Sequence, residues 1–182
     1  MVFLVYDILL LLLSPAIIAH HAWRTVSRGR SFAGFGERFG FIAPERLMPV
    51  AGKRPIWVHA VSVGETMAVK PLLRELKYRY PERPVVLSTV TETGRSVAEK
   101  IAEADLVVYF PFDFGCAVSR ALRLVSPSLV IVVETEIWPN FLRYARRMAI
   151  PAVMVNGRIS DRSFPRYLRF SWFFAPLLAK LS

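Results

Sequence analysis

Apolar and polar positions follow two different rhythms along this chain. The first stretch, Val2 to Ala19, is almost wholly apolar and is interrupted only by Asp7, Ser14 and Pro15. As a helix rising about 1.5 Å per residue it reaches roughly 27 Å, close to the hydrocarbon thickness of a bilayer. Asp7 and Pro15 make a full span marginal, so a tilted or interfacial helix stays open beside a spanning one. A cleaved signal peptide is the main rival, and it normally carries Lys or Arg ahead of the apolar run. None precedes it here; Arg24, Arg28 and Arg30 follow instead. A buried core helix is the other rival. By the positive-inside rule the order of charges places everything after residue 24 in the cytoplasm.

Past residue 54 the rhythm becomes regular. Short runs rich in β-branched residues predict strands at Ile56–Val61, Pro84–Val90, Leu106–Tyr109, Leu129–Val133 and Ala152–Asn156. Helical spacing is expected between them. Thr66–Tyr80 places Val69, Leu72, Leu73 and Leu76 on one face, and further helices are expected near Gly94–Glu103, Phe114–Val125 and Trp138–Met148. Strands alternating with helices imply an α/β domain with a parallel sheet covered on both faces. The expected organisation is a membrane anchor over 1–27, a Gly- and Arg-rich connector over 28–54, and the α/β domain over 55–182. The aromatic-rich stretch Tyr167–Leu181 packs on the sheet or on a further domain in one reading, and makes a second membrane contact in the other.

Ligands of such sheets bind at the carboxyl ends of the strands, so the polar residues after each strand are the candidates. They are Ser62, Gly64 and Glu65; Thr91, Thr93 and Gly94; Asp113; Glu134 and Glu136; and Asn156, Arg158 and Ser160. Glu65 opens a helix, where the dipole keeps a carboxylate ionised, the form a general base requires. The plainer reading is that it only complements that dipole. Glu134 and Glu136 end a buried strand, where desolvated acids need pairing or solvent. A helix start capped by Thr135 or Glu136 competes with a cleft-facing role. Arg38, Arg158 and Arg162, taken singly, read equally well as surface charges.

Charge narrows the partners. The 24 Lys and Arg against 14 Asp and Glu give a formal +10, which calls for something anionic: lipid, a phosphorylated substrate or nucleic acid. No nucleic-acid-binding motif is present, and the apolar first segment argues against that class. Cys116 is the single cysteine, so no intrachain disulfide forms, and no Cys/His spacing suggests zinc.

Taken together, the motifs resemble a family. Gly36-Glu37-Arg38-Phe39-Gly40 and His59-Ala60-Val61-Ser62-Val63-Gly64-Glu65 are similar to the start of the Kdo (3-deoxy-D-manno-octulosonate) transferases of lipopolysaccharide synthesis. The same order continues through Thr89-Val90-Thr91-Glu92-Thr93-Gly94, Pro111-Phe112-Asp113 and Glu134-Thr135-Glu136-Ile137-Trp138-Pro139-Asn140 to Asn156-Gly157-Arg158-Ile159-Ser160-Asp161-Arg162-Ser163. Ala60 and Gly157 stand where related sequences often have Ser and Ala. The resemblance implies that the parallel sheet is Rossmann-like and forms the amino-terminal, acceptor-side half of a GT-B glycosyltransferase, with the carboxy-terminal nucleotide-sugar half expected to be absent.

That family moves Kdo from CMP-Kdo to the lipid A precursor (lipid IVA) with no catalytic metal and no cofactor. The resemblance implies Glu65 as general base and Glu134 in transition-state stabilisation. It puts Arg38, Ser62, Gly64, Thr91, Gly94, Glu136, Asn156 and Arg158 on the acceptor side. The implied partners are the membrane, the lipid A precursor, CMP-Kdo and a separate carboxy-terminal half, without nucleic acid. The implied location is the cytoplasmic face of a Gram-negative-type inner membrane, and catalysis by this chain alone is not expected. The alternative is a non-catalytic lipid-binding membrane domain that kept the fold.

Overall fold

The structure is a computed structural model, and it describes residues 2–27, 33–134, 136–161 and 163–181. Arg28, Arg30, Thr135 and Arg162, named above, lie outside the described residues. Among those described, five strands form one parallel sheet: β1 (Ile56–His59), β2 (Val85–Thr89), β3 (Leu106–Tyr109), β4 (Leu129–Val133) and β5 (Ala152–Val155). Their order is β3-β2-β1-β4-β5. β1 sits at the centre, with His59 in register with Ser88 on one side and Val132 on the other. The chain builds outward from β1 to β3, then crosses back and builds outward through β4 and β5. The reversal falls between β1 and β4.

Every residue of β1 and β2 is buried, as expected of strands covered on both faces. Alternation divides the core in two. Trp57, Val86, Val108, Val130 and Val132 pack under helices α7 (Gly115–Val125) and α8 (Pro139–Arg147). Ile56, Val58, Leu87, Val107 and Ile131 face the opposite side. There they meet α4 (Val63–Ala68), α5 (Lys70–Arg79) and α6 (Glu92–Ala98), through Val69, Leu73 and Ala98. Leu73 is wholly buried, and such a side chain contributes about 2–3 kcal/mol of transfer free energy.

Three expectations needed adjustment. The single helix expected over Thr66–Tyr80 is two, parted at Val69, because Pro71 has no N–H for a continuous ladder. The helix expected at Gly94–Glu103 starts earlier, after the cap at Thr91, and ends at Ala98 so that Ile101 can turn into the core.

The third adjustment concerns the expected connector, whose described part folds onto the sheet. α2 (Ala33–Arg38) and α3 (Pro44–Leu47) lie in it, and Ile42, Leu47 and Val50 join the core. Glu37 pins this segment by accepting from the Tyr109 amide at 3.0 Å and pairing with Arg95 at 2.9 Å and with Arg46. Gly40 makes the approach to α7 possible. Its φ is +79°, and a Cβ there would stand 2.6 Å from the Ala117 carbonyl oxygen.

The apolar first segment is helix α1 (Val2–Ser27), with Pro15 inside it. Its stretch Phe3–His20 is long and apolar enough to cross a membrane. Yet its first turns rest on the domain. Tyr6 Oη donates to Asp113 Oδ2 at 2.9 Å, and Asp7 pairs with Arg143 at 3.0 Å and accepts from Asn140 Nδ2 at 2.8 Å. Leu4, Ile8, Leu9, Leu11, Leu12 and Leu13 remain exposed. The carboxy-terminal stretch forms α9 (Phe164–Arg169) and α10 (Ser171–Leu178), the latter against α8, with Leu177 buried and Phe164, Leu168 and Trp172 exposed.

Candidate active site

Parallel sheets of this kind bind ligands in the crevice at a strand reversal, which here falls at the carboxyl ends of β1 and β4. Glu65 reaches it from α4. Ser62 caps that helix, its Oγ accepting from the Glu65 amide at 3.3 Å. The Glu65 carboxylate turns back: Oε2 accepts from the Val61 N–H and Oε1 from the Ser62 hydroxyl, each at 2.8 Å. These reciprocal bonds form a variant of the capping box, with the return bond going to the amide of Val61, one residue before the cap. Glu65 is 9% exposed, so its carboxylate is held in one orientation at the mouth of the crevice. Gly64 beside it is exposed, with no side chain to block a ligand.

Across the reversal, β4 ends at Glu134, whose φ of +60° is a left-handed conformation costly for a glutamate. Its amide donates to the Val155 carbonyl at 2.9 Å, which ties this turn to β5. Glu136 follows, half-buried. Burial, then the nearby charges of Glu65 and Glu134, push its carboxyl above the usual carboxylate range. Glu136 thus lies close enough to the acids at both strand ends to feel their charge. Among the described residues, no group of three His, Cys, Asp or Glu side chains is arranged to hold a metal ion.

The flanking candidates extend the same edge. Asn156, at the end of β5, has a φ of +55° and accepts from Arg158 Nη2 at 3.3 Å; both are exposed. At the end of β2, Thr91 Oγ1 caps α6 by accepting from the Gly94 amide at 3.0 Å. A Cβ on Gly94 would come within 2.8 Å of that same oxygen, so the turn requires glycine. Arg38 is buried. It donates to the Val90 carbonyl, and its guanidinium lies 4.3 Å from the Tyr109 ring centroid.

Asp113 takes a different place from the other strand-end residues: it points inward. Oδ1 accepts from the Phe141 amide at 2.8 Å, and Oδ2 accepts from the Asn140 amide and the Tyr6 hydroxyl at 2.9 Å each. Burial pushes this carboxyl up to about 7 against the pull of those donors. His59, also inside, stacks on Phe110 at 3.7 Å, and burial lowers its imidazole to about 3, so the ring is neutral.

Pattern reading missed two features. The Ser62-Val63-Gly64-Glu65 spacing is a capping-box signature that was available in the sequence. The Asp113 network had a weaker signal, the polar pair Tyr6-Asp7 inside an apolar run.

A five-stranded parallel sheet with helices on both faces and its order reversed between β1 and β4 defines a Rossmann-like α/β domain. The family model described as "3-Deoxy-D-manno-octulosonic-acid transferase (kdotransferase)" matches residues 33–182, and the chain belongs to this Kdo transferase family. It is 36% identical to the 3-deoxy-D-manno-octulosonic acid transferase of Haemophilus influenzae, over 89% of this chain and 38% of that protein. It is 33% identical to the enzyme of the same name from Chlamydophila psittaci, over 89% and 37%. A probable mitochondrial relative in Arabidopsis thaliana is 32% identical over 85% and 34%. The chain thus spans under two-fifths of the length of these relatives.

Proposed function

We propose that this chain is the acceptor-side half of a Kdo transferase that moves Kdo from CMP-Kdo to the lipid A precursor. The observation that carries the reading is that Glu136, past the end of β4, lies within the charge influence of both Glu65, past the end of β1, and Glu134. In the step proposed, Glu65 takes the proton of an acceptor hydroxyl. That oxygen bonds to the anomeric carbon of Kdo as the bond to the CMP phosphate breaks, and CMP departs with the electron pair. Glu134 stabilises the positive charge that develops on the sugar. Its strained backbone supports this role, since strain of this kind persists where the surrounding structure holds a residue to a task. The step uses no catalytic metal and no cofactor, so a chelator should leave transfer unchanged.

Arg38, Ser62, Gly64, Thr91, Gly94, Glu136, Asn156 and Arg158 shape the acceptor side of the crevice, Arg38 by holding the β2 loop from below. The acceptor's phosphates and acyl chains account for the basic surface and for α1. We place the protein on the cytoplasmic face of the inner membrane. The bonds from Tyr6 and Asp7 to the domain favour α1 lying along the membrane surface over spanning it. CMP-Kdo would be held mainly by a nucleotide-sugar half.

The test is transfer of labelled Kdo to lipid IVA, with and without that half supplied as a separate chain. Turnover only in its presence supports the reading; none in either case overturns it. The exposed apolar faces of α1 and α10 favour a second reading, a lipid-binding domain without catalysis. Under that reading vesicle binding persists and no added half restores transfer.

A further inference from the structure

The two polar side chains near the start of α1 are the only acidic and phenolic groups in its apolar stretch, and both face the domain. Tyr6 bonds to Asp113, and Asp7 to Asn140 and Arg143. These receivers also hold the end of the loop that carries the acids. Asp113 accepts the two amides that begin α8, Asn140 and Phe141, and its carbonyl oxygen accepts from Asn140 Nδ2 at 2.7 Å. The loop from Glu134 to Trp138 is therefore tied at both ends. The Glu134 amide is bonded to β5, and the α8 start is bonded to Asp113. Trp138 packs between these ties, against Phe110 and His59.

We infer that α1 is a positioning element for the catalytic loop: Tyr6 and Asp7 couple membrane docking of the helix to the placement of Glu134 and Glu136. The inference rests on the acceptor-side reading for its consequence in catalysis, though not for the coupling itself. Geometry favours it over a passive tether. A tether needs no buried polar contacts, and an aspartate in an apolar helix is costly unless it has partners such as these. Both partners of Asp7 come from α8, the helix that the loop enters. Each deletion leaves a buried group short of a bond. Without the Tyr6 hydroxyl, Asp113 Oδ2 keeps only the Asn140 amide, and without Asp7, Arg143 loses its carboxylate. Tyr6, Asp7, Asp113 and Asn140 are positioning residues, since none is proposed to touch substrate.

The experiment is hydrogen exchange on the full chain bound to anionic vesicles, comparing wild type with Tyr6→Phe, Asp7→Ala and Asp7→Glu. Vesicle flotation is measured alongside. Loss of one or two such bonds should speed exchange at the Asn140 and Phe141 amides by about tenfold. Flotation should be unchanged and Asp7→Glu should partly restore protection. In the enzyme completed with its nucleotide-sugar half, kcat should fall several-fold while KM for CMP-Kdo holds. Unchanged exchange at Asn140 and Phe141 in both Tyr6→Phe and Asp7→Ala overturns the coupling. So does a loss of protection spread evenly over the sheet, which marks a merely structural role. Altered exchange in a completed protein that transfers no Kdo would leave the coupling standing and sink the proposed function.

Discussion

Glu65 holds two positions at once, closing a capping box and serving as the proposed base, and Glu65→Gln separates them. In the folded domain each carboxylate oxygen accepts one hydrogen bond, from Val61 N–H and from the Ser62 hydroxyl. A glutamine keeps the volume and one acceptor. Its carbonyl can receive the Val61 amide, while its NH2 meets Ser62 Oγ, which can rotate to accept. One hydrogen bond is reversed and weakened, so the expected cost is about 1 kcal/mol or less. Ser62→Ala removes the cap from the other side and should cost a similar ~1 kcal/mol. Catalysis responds on another scale, because a general base contributes about 10²–10⁴ in rate, or roughly 3–5 kcal/mol of barrier. Denaturant titration of the chain measures the first quantity, and Kdo transfer by the completed enzyme measures the second. Glu65→Gln should leave a folded protein with kcat lowered at least a hundredfold, while Ser62→Ala should lose stability with a smaller loss of rate. A Glu65→Gln enzyme with more than half of the wild-type kcat would refute the base assignment.

Two further outcomes follow from strain and from burial. Glu134→Gly should relieve a left-handed glutamate and hold stability level or raise it by up to about 1 kcal/mol, while transfer is lost; a clear loss of stability in the denaturant titration would contradict the strain argument. Asp113 carries a carboxyl raised to about 7 from an ordinary 3.8. Its folded form therefore binds an extra proton between those values. Its contribution to stability is complete below about pH 4 and is lost as pH rises towards 7, by something on the order of 4 kcal/mol. The stability difference between wild type and Asp113→Asn, followed from pH 5 to 8, should shrink over that window, and a flat difference would count against it.

Much of the fold was legible because the strands are uninterrupted apolar runs, wholly buried in β1 and β2, and burial of that kind leaves its mark in local composition. The runs at Leu106–Tyr109 and Leu129–Val133 coincide with β3 and β4 residue for residue. Pro71 could have announced the break between α4 and α5. The described part of the segment before β1 was harder. Arg38 read equally well as a surface charge, and only the folding of α2 and α3 onto the sheet brings it, Glu37 and Arg46 their partners.

The first helix shows where the boundary lies. Local composition determined that α1 is apolar, helical and long enough to matter to a membrane, and the parallel α/β class followed from short apolar runs joined by helices. The sequence also carried the acids at the strand ends, because residue type and position relative to a strand are local properties. What only the tertiary structure decided is which of them meet. Strand order β3-β2-β1-β4-β5 brings Glu136 near Glu65, and the fold sends Asp113 inward, where it meets Tyr6 from 107 positions away. Such pairings depend on a sheet register and a helix docking that no local window contains. Asp7, which in the sequence weakens a membrane span, becomes in the folded protein one of the contacts that hold the helix in place.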